Sequence, residues 1–328
     1  MRHRIAAVFL AGWACLFITA VTESAAADRL IGLHSAQVMS QSMPWIAREA
    51  GLFKKYDLDF NLVFIPSSPV ATAATIGGDA EIGVTGAVGN VRAIVQGIKD
   101  LVFIGGIKNY LTHSIMGKAD IKTPQDLKGK KVAVGRFGGN THYFVIQALR
   151  RLGMDASKDI QTIQTGGGPD TVAALLGGNV DAAGLVAPGD FQVASLGYRY
   201  VVNGFDLKIP YAATCIVTLR SLINKRGPVI GRFMRSMAEA SRLMHSDKAL
   251  VYKVLGKYLR ITDQKVLDAA YNSEIKAIEH RLEIHAAALQ ASLDEIAPID
   301  PRAKAIKPAD MIDRRYLIEL EKTGAFNR

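Results

Sequence analysis

The sequence predicts an α/β protein of two lobes, each built on a sheet of parallel strands covered by helices. Two observations predict this fold class. Residues 65–81 and 165–181 match each other, and candidate strands alternate with candidate helices around both passages. Strands that alternate with helices are typical of parallel sheets with both faces buried. The length of 328 residues, of which 49% are hydrophobic, suits two lobes of ordinary domain size.

The two matching passages carry the same helix signals at a spacing of 100 residues. A proline opens the helix, where its missing N–H costs nothing, and a pair of glycines ends it. An acidic residue then leads into a short strand. The matching pairs are Pro69 and Pro169, Gly77-Gly78 and Gly177-Gly178, and Glu81 and Asp181.

The match extends upstream of both passages. Residues 60–65 and 160–165 are candidate strands before these helices, and Leu30–Leu33 corresponds to Lys131–Val134. Each half therefore predicts the order strand, helix, strand, helix, strand. A chance match between two helices rich in alanine and glycine is the alternative, and the agreement of whole units disfavours it.

A glycine-rich loop, residues 135–141, lies between a short apolar strand and a helix. That arrangement often holds phosphates, but the loop lacks the G-x-G-x-x-G spacing and the chain has no P-loop motif. We predict that its glycines let the backbone approach a small solute. Asn140 and Thr141 are predicted to cap the helix, and whether they also donate to the solute stays open. Arg136 either pairs with an anion or faces solvent.

The N-terminus predicts export. Arg2 and Arg4 precede an apolar run from Ile5 to Val21, and Ala25-Ala26-Ala27 offers a cleavage site. This pattern is typical of a secretory signal peptide, here residues 1–27, removed near Ala27. A membrane anchor is the alternative, since the run is at the short limit for spanning a bilayer.

Several classes of function are disfavoured. The formal charge is +10, but the lysines and arginines are scattered, so we predict no nucleic-acid partner. The chain has no H-E-x-x-H and no G-x-S-x-G motif, and we predict no metal site, no cofactor and no catalytic residue. Cys215 lies in an apolar stretch and is predicted to be a buried small hydrophobic residue.

Five further motifs follow one another along the chain. They are PWIAREAGLFKKYDLD at 44–59, IGGDAEIG at 76–83, TPQDLKGKKVAV at 123–134, LLGGNVD at 175–181 and PADMIDRRYLIELEKTG at 308–324. Their order resembles the periplasmic substrate-binding proteins of ABC transporters, in the nitrate, sulfonate and taurine group related to binders of thiamine-pyrimidine precursors.

The resemblance implies the type 2 periplasmic-binding-protein fold, with two Rossmann-like α/β lobes joined by two crossover segments and followed by C-terminal helices. The expected first lobe is residues 28–108 and the expected second lobe is residues 113–206. Residues 211–328 would form the return crossover and the C-terminal helices, which would pack mainly on the first lobe.

The resemblance also implies that the protein binds a solute and catalyses no reaction. The chain would be a monomeric periplasmic protein that captures a small, anionic organic solute between its lobes and delivers it to the permease of an ABC importer. The solute could be a sulfonate, taurine, nitrate or an aromatic acid. The alternatives are an enzyme of pyrimidine-precursor synthesis or decarboxylation on the same fold, or a ligand-sensing partner of a membrane receptor.

The expected binding site follows from the sheet. Ligands of open parallel sheets bind beyond the carboxyl ends of the strands, where helix N-termini offer free N–H groups. The candidate ligand-binding residues are His34, Ser35, Trp45, Ser67, Ser68, Thr85, Gly86, Arg136, Phe137, Gly138, Gly139, Asn140, Thr141, Ala187, Pro188 and Asp190.

Overall fold

The computed structural model describes residues 26–326 and contains two five-stranded sheets, one in each of two lobes. Residues 1–25 of the expected signal peptide lie outside the described residues. Within residues 26–326, no helix has the length and apolar content needed to cross a membrane.

The described residues form ten strands and fourteen α-helices, numbered here in chain order. The strands are β1 (Asp28–His34), β2 (Leu58–Phe64), β3 (Ile82–Thr85), β4 (Leu101–Leu111), β5 (Ser114–Gly117), β6 (Lys131–Val134), β7 (Gln161–Gln164), β8 (Ala182–Leu185), β9 (Arg199–Asn203) and β10 (Ile209–Leu219). The helices are α1 (Met43–Glu49), α2 (Leu52–Lys55), α3 (Ser68–Gly77), α4 (Ala87–Val95), α5 (Asn140–Arg151), α6 (Ala156–Asp159), α7 (Gly168–Leu176), α8 (Gly189–Ser195), α9 (Gly204–Leu207), α10 (Arg220–Ser246), α11 (Lys248–Leu259), α12 (Gln264–Glu274), α13 (Ala286–Ile296) and α14 (Arg315–Lys322).

The two sheets are mixed rather than parallel. The first lobe has the strand order β2-β1-β3-β10-β4 and the second has β7-β6-β8-β5-β9. The repeated strands β1–β3 and β6–β8 are parallel, as predicted. The prediction is wrong for the rest of each sheet, because β10 runs antiparallel to β3 and β4, and β5 runs antiparallel to β8 and β9. The chain enters both β5 and β10 from the other lobe, so these two strands cross their sheets in the opposite direction.

The two crossovers lie side by side. The chain leaves the first sheet at Leu111 and enters the second sheet at Ser114, and it returns through β10. The start of β10 pairs with the end of β4, with Ile209 opposite Leu111. The lobes are thus joined by two adjacent extended segments.

The repeat seen in the sequence is confirmed, but the predicted match of Leu30 with Lys131 is wrong by one residue, because Ile31 is the counterpart of Lys131. Glu81 Oε2 accepts the backbone N–H of Ile31 at 3.0 Å, and Asp181 Oδ2 accepts that of Lys131 at 3.0 Å. In each case the acidic residue that precedes one strand, β3 or β8, accepts a backbone N–H from the neighbouring parallel strand, β1 or β6. The helices α3 and α7 each have a proline in the first turn and end at a glycine pair.

The C-terminal helices cover both faces of the first sheet. Phe233 of α10 packs on Phe60 of β2, with ring centroids 5.2 Å apart. On the other face, Leu289 of α13 belongs to the same buried cluster as Phe103 and Val217. The last matching motif forms a 3-10 turn followed by α14, rather than one continuous helix.

Candidate ligand-binding site

A cavity of about 110 Å³ lies between the lobes, beyond the carboxyl ends of the parallel strands. We call it the first cavity. It is bordered by the loops that follow β1, β2, β6, β7 and β8, and by residues of the two crossovers. Both lobes therefore contribute residues to the walls of the first cavity.

The predicted site residues divide between the cavities and their surroundings. Seven of the sixteen line the first cavity, namely Ser35, Ser67, Ser68, Arg136, Gly139, Asn140 and Thr141. Thr141 also lines a second, adjoining cavity, which Pro188 borders. The other eight line neither cavity, namely His34, Trp45, Thr85, Gly86, Phe137, Gly138, Ala187 and Asp190.

Two of the residues outside the cavities belong to the core of the first lobe. Trp45 is buried and stacks on Tyr258, with ring centroids 5.0 Å apart. His34 is buried edge-on against Trp45 at 5.1 Å, and burial lowers the pKa of its imidazole. These aromatic groups stabilise the packing of α1 against α11.

Two other predicted residues, Thr85 and Gly86, do not line the first cavity but contact residues that do. Thr85 donates its hydroxyl to Ser35 Oγ at 2.9 Å and so positions a residue that lines the cavity. The backbone at Gly86 approaches the Asn140 side chain so closely that a Cβ added at Gly86 would clash with Asn140 Oδ1. Phe137, by contrast, does not line the cavity, and its side chain is 54% exposed.

Asn140 and Thr141 do not cap α5. The helix begins at Asn140, Gly139 occupies the N-cap position, and no side-chain capping bond forms. The Asn140 amide instead donates to the carbonyl of Ala213 at 2.7 Å, and its oxygen accepts the Tyr211 hydroxyl at 3.2 Å. The capping prediction is therefore wrong, because the side chain of Asn140 connects the second lobe to β10.

Three helix N-termini meet at the first cavity. They belong to α3, α5 and α7, and the first residues of each helix line the cavity. The first turn of a helix has backbone N–H groups without intrahelical partners and carries partial positive charge. Three such ends that converge on one space favour a negatively charged group.

The charged side chains that line the first cavity are cationic. They are Lys108 and Arg136, and no aspartate or glutamate is among its lining residues in the described part of the chain. Arg136 is exposed at the rim. Lys108 is only 2% exposed, and its ammonium group donates to Glu274 at 2.7 Å and to Thr112 at 2.9 Å.

Lys108 and His113 line the first cavity but were not predicted from the sequence. Lys108 is the only charged residue in the apolar strand β4, and this isolated charge was a signal that could have been used. His113 is also buried, lines the cavity and has no hydrogen-bond partner for Nδ1 among the described residues. Burial lowers its pKa to about 3, so the ring is neutral at physiological pH.

Comparisons with known proteins agree with the motifs. A family model described as NMT1/THI5 like matches residues 42–248. The taurine-binding periplasmic protein of Escherichia coli (strain K12) is 29% identical over 154 residues, which cover 46% of this chain and 44% of the relative. The chain thus matches less than half the length of this relative.

Solved structures share the fold over nearly their whole length. The periplasmic aliphatic sulphonate binding protein SsuA from Escherichia coli is 25% identical, with a TM-score of 0.69 over 89% of this chain and 99% of that protein. The desulfurization enzyme DSZB is 12% identical, with a TM-score of 0.67 over 90% and 99%. The fold therefore occurs in binding proteins and in at least one enzyme.

The two lobes, the mixed sheets and the crossovers agree with the periplasmic-binding-protein fold of these structures. The resemblance drawn from the sequence motifs is confirmed by the family match, which spans more than half of the chain. The chain belongs to the NMT1/THI5-like family.

Proposed function

We propose that this protein is the periplasmic solute-binding component of an ABC importer and that it captures a small organic anion between its lobes. The observation that carries this proposal is the convergence of three helix N-termini on a cavity that Arg136 lines and whose lining residues, within 26–326, include no aspartate or glutamate. The sulphonate- and taurine-binding roles named for the similar proteins agree with a solute that carries an anionic group.

Export and delivery follow from the same proposal. Cleavage near Ala27 would release a mature protein that begins at Asp28, the first residue of β1. Closure of the lobes about the paired crossovers would enclose the solute, and bound solute would shift the population toward the closed form. The outer faces of both lobes would then meet the permease in the inner membrane.

An enzymatic function is the alternative, because the desulfurization enzyme DSZB has the same fold. Cys215, the cysteine among the described residues, does not line the first cavity, and its thiol donates to the Thr85 carbonyl at 2.9 Å. Burial raises the pKa of this thiol well above its usual range, which makes it a poor nucleophile.

The test is to incubate the purified protein with methanesulfonate, nitrate and benzoate. A binding protein should bind one of these anions at a ratio of one to one and release it chemically unchanged. Turnover of any of them would overturn the proposal in favour of an enzyme. Solute uptake that persists in cells lacking this protein would instead favour the sensing role.

Ser67 offers a prediction that separates binding from folding. Its hydroxyl oxygen is buried, lines the first cavity and has no hydrogen-bond partner among the described residues, and its backbone has a strained φ of 83°. Ser67→Ala should leave the free energy of unfolding unchanged or raise it by up to about 1 kcal/mol, because an unpaired buried hydroxyl is removed. Binding of methanesulfonate should weaken by about 1–3 kcal/mol.

Ser68→Ala is the matched control for Ser67→Ala. Ser68 also lines the cavity, but its hydroxyl accepts the backbone N–H of Gly86 at 3.1 Å. Its loss should therefore lower the free energy of unfolding by about 1 kcal/mol. Calorimetric titration and denaturant unfolding of both variants test the pair. Unchanged affinity in Ser67→Ala would remove Ser67 from the site.

A further inference from the structure

The two lobes contact each other at α8 and α12 as well as at the crossovers. Helix α8 belongs to the second lobe and packs against α12. Helix α12 belongs to the first lobe, because its residues Leu267 and Tyr271 lie in the buried core cluster of that lobe. Phe191 of α8 packs against the same cluster. Part of the second lobe therefore rests on the first lobe at a place outside the crossovers.

Asp190 lies at this contact, in the first turn of α8. Its side chain is only 2% exposed, and one carboxyl oxygen accepts the backbone N–H of Phe191 at 2.9 Å. The titratable and charged groups that face it are Tyr200 of β9, Glu274 of α12 and Lys108 of β4. Of the other elements packed against α8, β5 has no titratable side chain, and Asp170 of α7 is exposed. The carboxyl group of Asp190 is therefore enclosed between the lobes.

Among the described residues, this buried cluster holds two carboxyl groups and one ammonium group. The ammonium group of Lys108 lies 2.7 Å from the carboxylate of Glu274, so its charge is already neutralised. His113 adds no charge, because burial and the nearby Lys108 lower its pKa to about 3. A buried carboxylate without a counter-charge is costly, and burial favours its protonated form. Burial accordingly raises the pKa of Asp190 to about 7, with Glu274 adding to the rise and Lys108 opposing it.

We propose that closure of the lobes takes up one proton at Asp190, so that acid favours the closed form of the protein. The proton comes from the solvent when α8 meets α12. Opening about the crossovers withdraws α8 from α12, hydrates the carboxyl group and returns the proton to the solvent. The inference rests on the lobe closure of the proposed function and adds a regulation of the same site. Because bound solute stabilises the closed form, a solute should bind more tightly in acid.

The direction of the pH dependence follows from the raised pKa. The hydrated carboxyl group of the open form should ionise near its ordinary pKa of 3.8, whereas that of the closed form ionises near 7. Between these two values the closed form keeps a proton that the open form loses. The ratio of closed to open chains should therefore fall by up to about tenfold per pH unit from about pH 4 to 7, and it should change little above about pH 8.

The test measures the separation of the lobes in dialysed protein, without added solute. Spin labels are attached to one cysteine on each lobe, introduced by Val63→Cys and Leu176→Cys at positions that are 48% and 42% exposed. Cys215 is buried and should escape the label. Pulsed electron paramagnetic resonance gives the distribution of distances between the two labels. The ratio of closed to open chains should be at least about tenfold higher at pH 5 than at pH 8.

Two variants test the assignment to Asp190. Asp190→Asn keeps an oxygen that can accept the backbone N–H of Phe191 but has no proton to lose, so its distance distribution should not change with pH. Asp206→Asn removes an exposed carboxyl group of the same lobe and should keep the pH dependence of the wild type. Circular dichroism of each protein at both pH values checks that the fold persists.

The outcomes separate this inference from the proposed function. A distance distribution that is the same at pH 5 and pH 8 in the wild type would overturn the inference, and so would an equal change in Asp190→Asn. Neither result depends on a bound solute, so both leave the binding function intact. Failure of methanesulfonate, nitrate and benzoate to bind would instead count against the proposed function, while a lobe separation that depends on pH through Asp190 would still support proton uptake on closure.

Discussion

Replacing Lys108 with methionine is expected to lower the free energy of unfolding by about 3–5 kcal/mol. Lys108 and Glu274 are 2% and 0% exposed, and their charged groups lie 2.7 Å apart. Without Lys108 the carboxylate of Glu274 would be buried without a counter-charge, and Thr112 would be its remaining side-chain partner. Denaturant unfolding measured at neutral pH checks the value.

Two controls test whether the loss comes from the orphaned charge. The double variant Lys108→Met with Glu274→Met should recover most of the lost stability, because an apolar pair can replace a buried ion pair at little cost. Lys248→Met breaks the pair between Lys248 and Asp268, which has the same 2.7 Å separation but is about half exposed, and it should have little effect. A loss below about 1 kcal/mol in Lys108→Met would contradict this account of the buried pair.

Asp190→Asn is expected to stabilise the protein at pH 8 and to leave it unchanged at pH 4. Asp190 is 2% exposed, and burial raises its pKa to about 7 from 3.8, with Glu274 adding to the rise and Lys108 opposing it. Tyr200, whose own pKa is raised, also faces this carboxyl group. The folded protein therefore retains a proton between about pH 4 and 7 that the unfolded chain loses.

The sign of the pH dependence follows from this proton. Where the folded state binds more protons than the unfolded state, the free energy of unfolding falls as the pH rises. The wild type should lose on the order of 4 kcal/mol at most across the window from about pH 4 to 7, and Asp190→Asn should not. The asparagine oxygen can still accept the backbone N–H of Phe191.

Asp126 provides a control, because its effect on the pH dependence of stability has the opposite sign to that of Asp190. It is exposed, and the backbone N–H of Thr123 lowers its pKa, so its contribution to stability is lost as the pH falls. Asp126→Asn should therefore destabilise at neutral pH. Urea unfolding of the three proteins from pH 4 to 8 tests both carboxyl groups. Parallel pH profiles for the wild type and Asp190→Asn would contradict the assignment to Asp190.

Much of the fold could be predicted because its signals are local. Pro69 and Gly78 start and end α3 through their own backbone restrictions, and their counterparts do the same for α7. The antiparallel placement of β5 and β10 could not be predicted in this way. It depends on which lobe the chain has just left, and no residue in either strand encodes that.

The site was predictable at the level of loops but not of side chains. The rule that ligands bind beyond the carboxyl ends of strands located the loop that contains Arg136 and Phe137. Of these two neighbours, however, Arg136 lines the cavity and Phe137 does not. Trp45 shows the same limit, because an aromatic residue that packs in a core has the same sequence signature as one that walls a cleft. Leu259, the last residue of α11, and Ile261, which follows that helix, line the second cavity although they are far from its other residues in sequence, and no local signal marks them.

The central claim is that an organic anion is held between the two lobes. Native mass spectrometry of the protein purified from the periplasm tests this claim most directly. Val186 lines both cavities, and Val186→Trp should fill the space that they share. The account predicts one small organic anion per wild-type chain and none on Val186→Trp, with Leu196→Trp, at a position that is 64% exposed, retaining it. A wild-type protein without a bound anion, or a Val186→Trp variant that binds it as well as the wild type, would contradict the account.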